Sequence, residues 1–257
     1  MDSDVQNIIM HALHFIDSSR TGACKGLAME VLARFNGRNG EITILEERAS
    51  GRRLYHEAGV FQSYVLPGGS AALDYVRLMA RVLAGASEVL LFGCGGGVLA
   101  TDLHGTGSRV VVVDNNPISF EIARRYFWMP HGITCAVEDM ASYLELETQR
   151  YPAIGVDVGG PCFDYEAVLD TRACAMLRRR LVDGGRIVVN IACDWTEDIT
   201  PERIAACFLC EDLDVWICDE QARSGRNTVI IASDGSQDAK RFSEAASLLG
   251  FRPRRAA

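Results

Sequence analysis

Apolar spacing along the chain falls into two regimes. Ile8, Ile9, Leu13, Phe15 and Ile16 are spaced for one face of a helix. Leu27, Met29, Val31, Leu32 and Phe35 continue the pattern after a glycine-containing break, so residues 1–35 are predicted helical. Asn36–Gly40 is a turn cluster. Three short strand-like runs follow, Glu41–Leu45, Arg53–Tyr55 and Val60–Val65, parted by Ser50-Gly51 and Ala58-Gly59. They predict a small antiparallel β unit.

From about Ser70 the pattern changes. Ala71–Leu83 reads as a helix, and strands and helices then alternate. Val89–Phe92 and Val110–Val113 are short apolar runs, as expected of parallel strands buried on both faces. Pro117–Phe127 is a helix; Ile133–Val137 and Ile154–Val156 are strands. Glu166–Leu181 is predicted as one long helix, stopped by Asp183-Gly184-Gly185. Arg186–Ile191 is a strand, and Pro201–Phe208 a helix with proline in its first turn. Asp214–Cys218 and Thr228–Ala232 flank a turn containing Ser224-Gly225, which predicts an antiparallel hairpin. The tail after Phe251 reads as loose. The alternation predicts a doubly wound α/β domain over 70–257, preceded by residues 1–69 as helical segment plus β unit.

Composition narrows the partners. A net charge of −8 over 257 residues argues against a nucleic-acid surface, which needs clustered Lys and Arg. The basic runs Arg178–Arg180 and Arg254-Arg255 read as solvated faces or tails. No apolar stretch is long enough for a membrane helix, and acids stand where a signal peptide carries positive charge, so a cytoplasmic location without membrane is expected. Nine cysteines suit a reducing compartment. Cys207 and Cys210 have CxxC spacing, but no second pair or nearby His completes a zinc site, so no metal is expected.

The strongest local signal is an apolar strand running into Gly93-Cys94-Gly95-Gly96-Gly97 and then a helix. Such glycines let backbone approach a ligand, and the helix N-terminus offers free N–H groups; a merely tight turn is the alternative. A dinucleotide fingerprint fails at Val98, which disfavours a nicotinamide-dependent oxidoreductase. Gly93, Gly95 and Gly97 instead give GxGxG, the loop of S-adenosylmethionine-dependent enzymes. Asp114 ends the next strand and suits the two ribose hydroxyls of a nucleoside, or else caps the following helix. Asp139 follows a third strand, placed to meet an adenine edge, and Asp157 follows a fourth. All three acids fall on the strand-end rim where open α/β sheets bind ligands.

With these residues in order, the chain resembles the spermidine synthase family, within the class I S-adenosylmethionine-dependent transferase fold, over roughly residues 41–235. Gly59-Val-Phe-Gln-Ser63 is similar to the family strand with a donor-contacting glutamine, here Gln62. Ala72–Met79 is similar to the helix carrying its characteristic tyrosine, here Tyr75. Asp114 falls where the family has its ribose acid, Asp139 where it has an acid near adenine. Asp157 matches the first acid of the D-x-x-D loop that helps deprotonate the attacking amine. Leu181–Asn190 and Gly225–Val229 resemble the strand after the long helix and the last hairpin. The resemblance implies a Rossmann-like, mostly parallel sheet with a C-terminal antiparallel hairpin. It also implies S-adenosylmethionine or its decarboxylated form as co-substrate, a small-molecule amine as acceptor, and a possible homodimer.

Two positions depart from the family. Gly96 stands where an acid holds the amine of the donor's aminopropyl arm, and Gly160 where the D-x-x-D loop has its second acid. Each lost charge-assisted hydrogen bond removes about 1.5–3 kcal/mol from the grip on an ammonium. Plain putrescine is therefore an unexpected acceptor, with Asp164 the nearby candidate substitute acid. The expected reaction is alkyl transfer from a sulfonium with Asp157 accepting the proton near Tyr75. Methyl or aminocarboxypropyl transfer, and a non-catalytic nucleoside-binding protein, stay open beside aminopropyl transfer.

Overall fold

The computed structural model describes residues 29–160, 163–193, 197–220, 226–235 and 239–256. The helix expected over residues 1–28 and the Ser224-Gly225 turn lie outside the described residues.

Residues 29–35 are not helical. Met29–Asn36 (β1) is a strand of a four-stranded antiparallel sheet ordered β1-β2-β3-β4, with β2 at Glu41–Glu47, β3 at Arg53–Glu57 and β4 at Val60–Val65. The misleading pattern has a local cause. Met29 and Val31 pack with Leu45, Leu54 and Tyr64, whereas Ala33 and Phe35 pack into the main core, because the ladder shifts between Val31 and Ala33. One extra residue, Leu32, turns a two-residue period into a spacing that imitates a helix face. A second bulge lies in β4. Tyr55 pairs with Ser63 and His56 with Phe61, which leaves Gln62 unpaired between them.

The second sheet has eight strands: β5 (Glu88–Phe92), β6 (Arg109–Asp114), β7 (Thr134–Val137), β8 (Tyr151–Val156), β9 (Leu181–Cys193), β10 (Asp214–Glu220), β11 (Arg226–Ser233) and β12 (Phe251–Arg255). Their order is β12-β10-β11-β9-β8-β5-β6-β7. The run from β9 to β7 is parallel, and β11, β10 and β12 join it antiparallel. The predicted mostly parallel sheet with an antiparallel hairpin is thus present. The tail after Phe251 is not loose: it forms β12, with Phe251 buried.

Eight helices lie among the described residues: α1 (Asp74–Leu83), α2 (Val98–Gly105), α3 (Ile118–Tyr126), α4 (Met140–Leu146), α5 (Tyr165–Val168), α6 (Thr171–Arg179), α7 (Thr200–Leu209) and α8 (Ala239–Leu248). None is long and apolar enough to cross a membrane. The helix expected over 166–181 is two short ones. Leu169 is buried, and the Asp170 carboxylate accepts from Ala173 N at 2.8 Å, which caps a new helix. Leu181 already belongs to β9, so Asp183-Gly184-Gly185 lies inside a strand and stops nothing. The basic runs are also partnered. Arg178 pairs with Asp234 at 3.2 Å, Arg254 with Asp219 and Glu202, and Arg255 with Asp214.

Two buried clusters cover the two faces of the large sheet. One joins α1, α2, α3 and α8 to the sheet and extends to Ile42, Ile44 and Tyr55 of the small sheet. The other packs α4, α6 and α7 beneath. The end of α1 is held from across the chain. Arg186 Nε donates to Val82 O at 2.5 Å, and its Nη2 to Leu83 O at 3.2 Å and Ala84 O at 2.9 Å. A cation there satisfies helix carbonyls that lack internal partners.

Candidate active site

From β5 the chain proceeds to β6 and β7 on one side, while β8 and β9 extend the sheet on the other. A crevice opens at the carboxyl ends of the two central strands at such a reversal. The glycine loop follows β5 and Asp157 follows β8, so the order of strands brings them together. Gly93 N donates to Val113 O at 2.9 Å, and Asp157 N donates to Phe92 O at 2.9 Å. Gly93 has φ +92°, and a Cβ on it would lie 2.8 Å from the Asp157 carbonyl carbon and nearer still to its oxygen. Here glycine is required by both conformation and space.

The cleft has two lobes. The smaller, about 200 Å³, is lined by Gly93, Gly95, Asp114, Asp139, Asp157 and Gln62, together with Asn39, Tyr55, Glu57, Asn116 and Ser119. Asp114 Oδ2 accepts from Cys94 N at 2.7 Å and Oδ1 from Asn116 N at 2.8 Å, so it braces the glycine loop as well as facing the lobe. Burial pushes its carboxyl up, and these bonds together with one from Ser119 pull it back. Asp139 sits at the exposed rim. One oxygen accepts from Ala141 N at 2.9 Å and caps α4.

The larger lobe, about 450 Å³, is lined by Tyr75, Asp157, Tyr165, Asn190, Asn227 and the apolar Leu54, Phe61 and Leu73, among others. Asn190 Nδ2 donates to Asp157 Oδ1 at 2.9 Å, and the Tyr75 hydroxyl also bonds this carboxylate. Burial pushes the Asp157 carboxyl up to about 6, and the two donors oppose that rise. Tyr75 is pushed well above the usual phenol range, chiefly by burial and then by the Asp157 charge. Gln62, Gly93, Gly95 and Asp157 line both lobes. The bulge explains Gln62: released from the ladder, it lies where the lobes meet.

The two family departures acquire a physical setting. Gly96 N donates to Ser63 Oγ at 2.8 Å, and a Cβ at Gly96 would stand 3.1 Å from Ser63 Cβ and 3.2 Å from Phe127 Cγ. A side chain at this position would press on Ser63 and Phe127, which would have to give by a few tenths of an ångström. Gly97 has φ +70° and packs so that a Cβ would meet Met129 at 2.6 Å. At Gly160 a Cβ would make an ordinary 3.6 Å contact with Asn39 Nδ2, so an amide faces that position. Asp164, the candidate substitute acid, does not line either lobe. It is exposed, and its side chain accepts from Ala167 N at 3.0 Å to cap α5.

Ser63→Ala should cost about 1–3 kcal/mol of stability, because the buried Gly96 N–H loses its acceptor. Equilibrium unfolding in urea measures this; unchanged stability would show that Gly96 N finds another partner.

The sequence reading missed Tyr55, Glu57, Ser63, Ser119 and Asn190 as cleft residues. A signal existed for Asn190, a polar residue after three apolar ones in a buried strand.

No protein-family profile matches the chain, and no curated protein matches its sequence. Solved structures do match. A structure described as a probable spermidine synthase from Corynebacterium glutamicum superposes with a TM-score of 0.75 at 18% identity, covering 88% of this chain and 91% of that one. A spermidine synthase in complex with the transition state analogue AdoDATO gives 0.64 at 14% identity, covering 86% and 84%. The spermidine synthase from Thermotoga maritima gives 0.64 at 13% identity with the same coverage. The chain therefore has a spermidine synthase-like fold, as the sequence resemblance implied.

Proposed function

We propose that this chain is an aminopropyl-type transferase, moving an alkyl group from decarboxylated S-adenosylmethionine to a small-molecule amine. One observation carries the reading. Among the described residues, Asp157 is the carboxylate that lines both lobes, with its pKa raised to about 6. A general base poised just below neutral, between a nucleoside-sized lobe and a second lobe, fits proton removal from an amine at the moment of attack.

In this reading Asp114 and the glycine loop hold the nucleoside, and Gln62 spans the junction. The amine's lone pair attacks the carbon bound to sulfur. That carbon–sulfur bond breaks, its electron pair stays on sulfur, and a neutral thioether leaves. Asp157 takes the proton that the nitrogen loses. Tyr75 and Asn190 orient Asp157 through their hydrogen bonds, and positioning supplies most of the acceleration. The neighbour solved with AdoDATO supports a reaction of this type on this fold.

Methyl transfer is favoured by one feature. Gly96 has no carboxylate to grip an aminopropyl amine, and Ser63 and Phe127 crowd that position. The test is calorimetry with intact and decarboxylated donor, followed by mass spectrometry of products from a panel of amines. Binding of the decarboxylated donor with aminopropylated product supports the proposal. A methylated product moves it to the second reading. Donor binding without product from any amine leaves a nucleoside-binding protein, and failure to bind either donor overturns all three.

A further inference from the structure

We infer that Glu57 is the residue by which the cleft tells a sulfonium nucleoside from the neutral thioether left after transfer; this rests on the functional reading above. Glu57 ends β3, is 4% exposed and lines the smaller lobe. Its Oε1 accepts from Asn39 N at 3.2 Å. The described lining of that lobe also holds Asp114, Glu138, Asp139 and Asp157, and no Lys or Arg. The carboxylates differ in how well they are compensated. Asp114 takes a backbone N–H on each oxygen, Asp157 takes the Asn190 and Tyr75 donors, Glu138 is exposed, and Asp139 is exposed and capping. Glu57 is buried, and its bonds come from Asn39 alone; burial and the Asp114 charge push its carboxyl up.

A buried carboxylate in this setting is stabilised by any cation that enters. A sulfonium brings one. When the carbon–sulfur bond breaks, the sulfur becomes neutral and the attraction ends. Donor and product share the adenosine contacts and differ in the charge on sulfur and in the aminopropyl arm with its ammonium, so the charge on sulfur is isolated by a sulfonium that lacks that arm. The acid that reads this charge belongs to the small antiparallel sheet, apart from the strand-end rim that carries Asp114, Asp139 and Asp157.

Calorimetry on the full chain tests this with two ligands that differ by one methyl and the charge on sulfur, 5′-deoxy-5′-dimethylsulfonioadenosine and 5′-methylthioadenosine. Glu57→Gln keeps the shape and an acceptor for Asn39 N. It should weaken the sulfonium about tenfold and change the thioether by less than about twofold. Tyr55→Phe, in the same strand and lobe but without a charge change, should move both ligands alike. Equal losses for both ligands in Glu57→Gln, or no loss for either, would overturn the inference while leaving the transferase reading intact. Failure of wild type to bind either ligand would sink that reading and the inference with it.

Discussion

Asp157→Asn is expected to lower kcat by roughly 10²- to 10⁴-fold, with donor affinity held within about threefold. The carboxylate is the proposed base, and asparagine keeps the shape and one acceptor oxygen but cannot accept a proton. The pH dependence has a definite sign. The base works ionised, so the wild-type rate should rise with pH through about 6 and level off above. Stability should move the other way. The folded-state pKa stands above the ordinary 3.8, so the native state binds this proton more tightly than the unfolded chain. Its stabilising contribution is complete below about 4 and is lost as pH rises through about 6. Asp157→Asn removes that loss, so at neutral pH it should melt at or above the wild-type temperature while turning over far more slowly. Single-turnover rates over a pH series and thermal melts measure both. A variant that is active but less stable would mean that Asp157 is a structural residue.

Gly93→Ala should be the most damaging small substitution in the cleft. The added methyl would press on the Asp157 carbonyl, which is backbone directly after β8 and cannot turn aside as a side chain can, and alanine would have to adopt φ +92°. Left-handed backbone strain and overpacking each contribute about 1–3 kcal/mol, so a loss near 3 kcal/mol or more is expected. The same movement displaces Asp157, so donor binding and turnover should fall together. Urea unfolding and calorimetry check the two. Full donor affinity at wild-type stability would show that the β5 and β8 ends separate freely.

The parallel core was readable because its strands are short, apolar and punctuated by glycine: β5, β6 and β8 were found within a few residues. The positions on the rim were readable for the same reason, since Gly93 and Asp157 directly follow strands, Asp114 ends one and Asp139 lies two residues past another. Errors arose where one residue breaks a period. Leu32, extra in β1, imitates a helix, and Asp170 starts a new helix inside an apparently continuous one. Glu57 and Ser63 reach the cleft through long-range packing, which no local pattern encodes. Asp139 shows the converse. Its position on the rim was legible, but its capping bond to Ala141 depends on where α4 begins.

The outermost strands of the large sheet bear on behaviour at high concentration. An open sheet offers unpaired backbone groups to any other chain that can add a strand. Here β12 ends the sheet with Arg252, Pro253, Arg254 and Arg255, a row of like charges interrupted by a residue that cannot donate a ladder bond. At the opposite margin β7 has only four residues, followed at once by Glu138 and Asp139. Both margins therefore discourage fibrous stacking, and the protein should stay dispersed where a bare β-edge would aggregate.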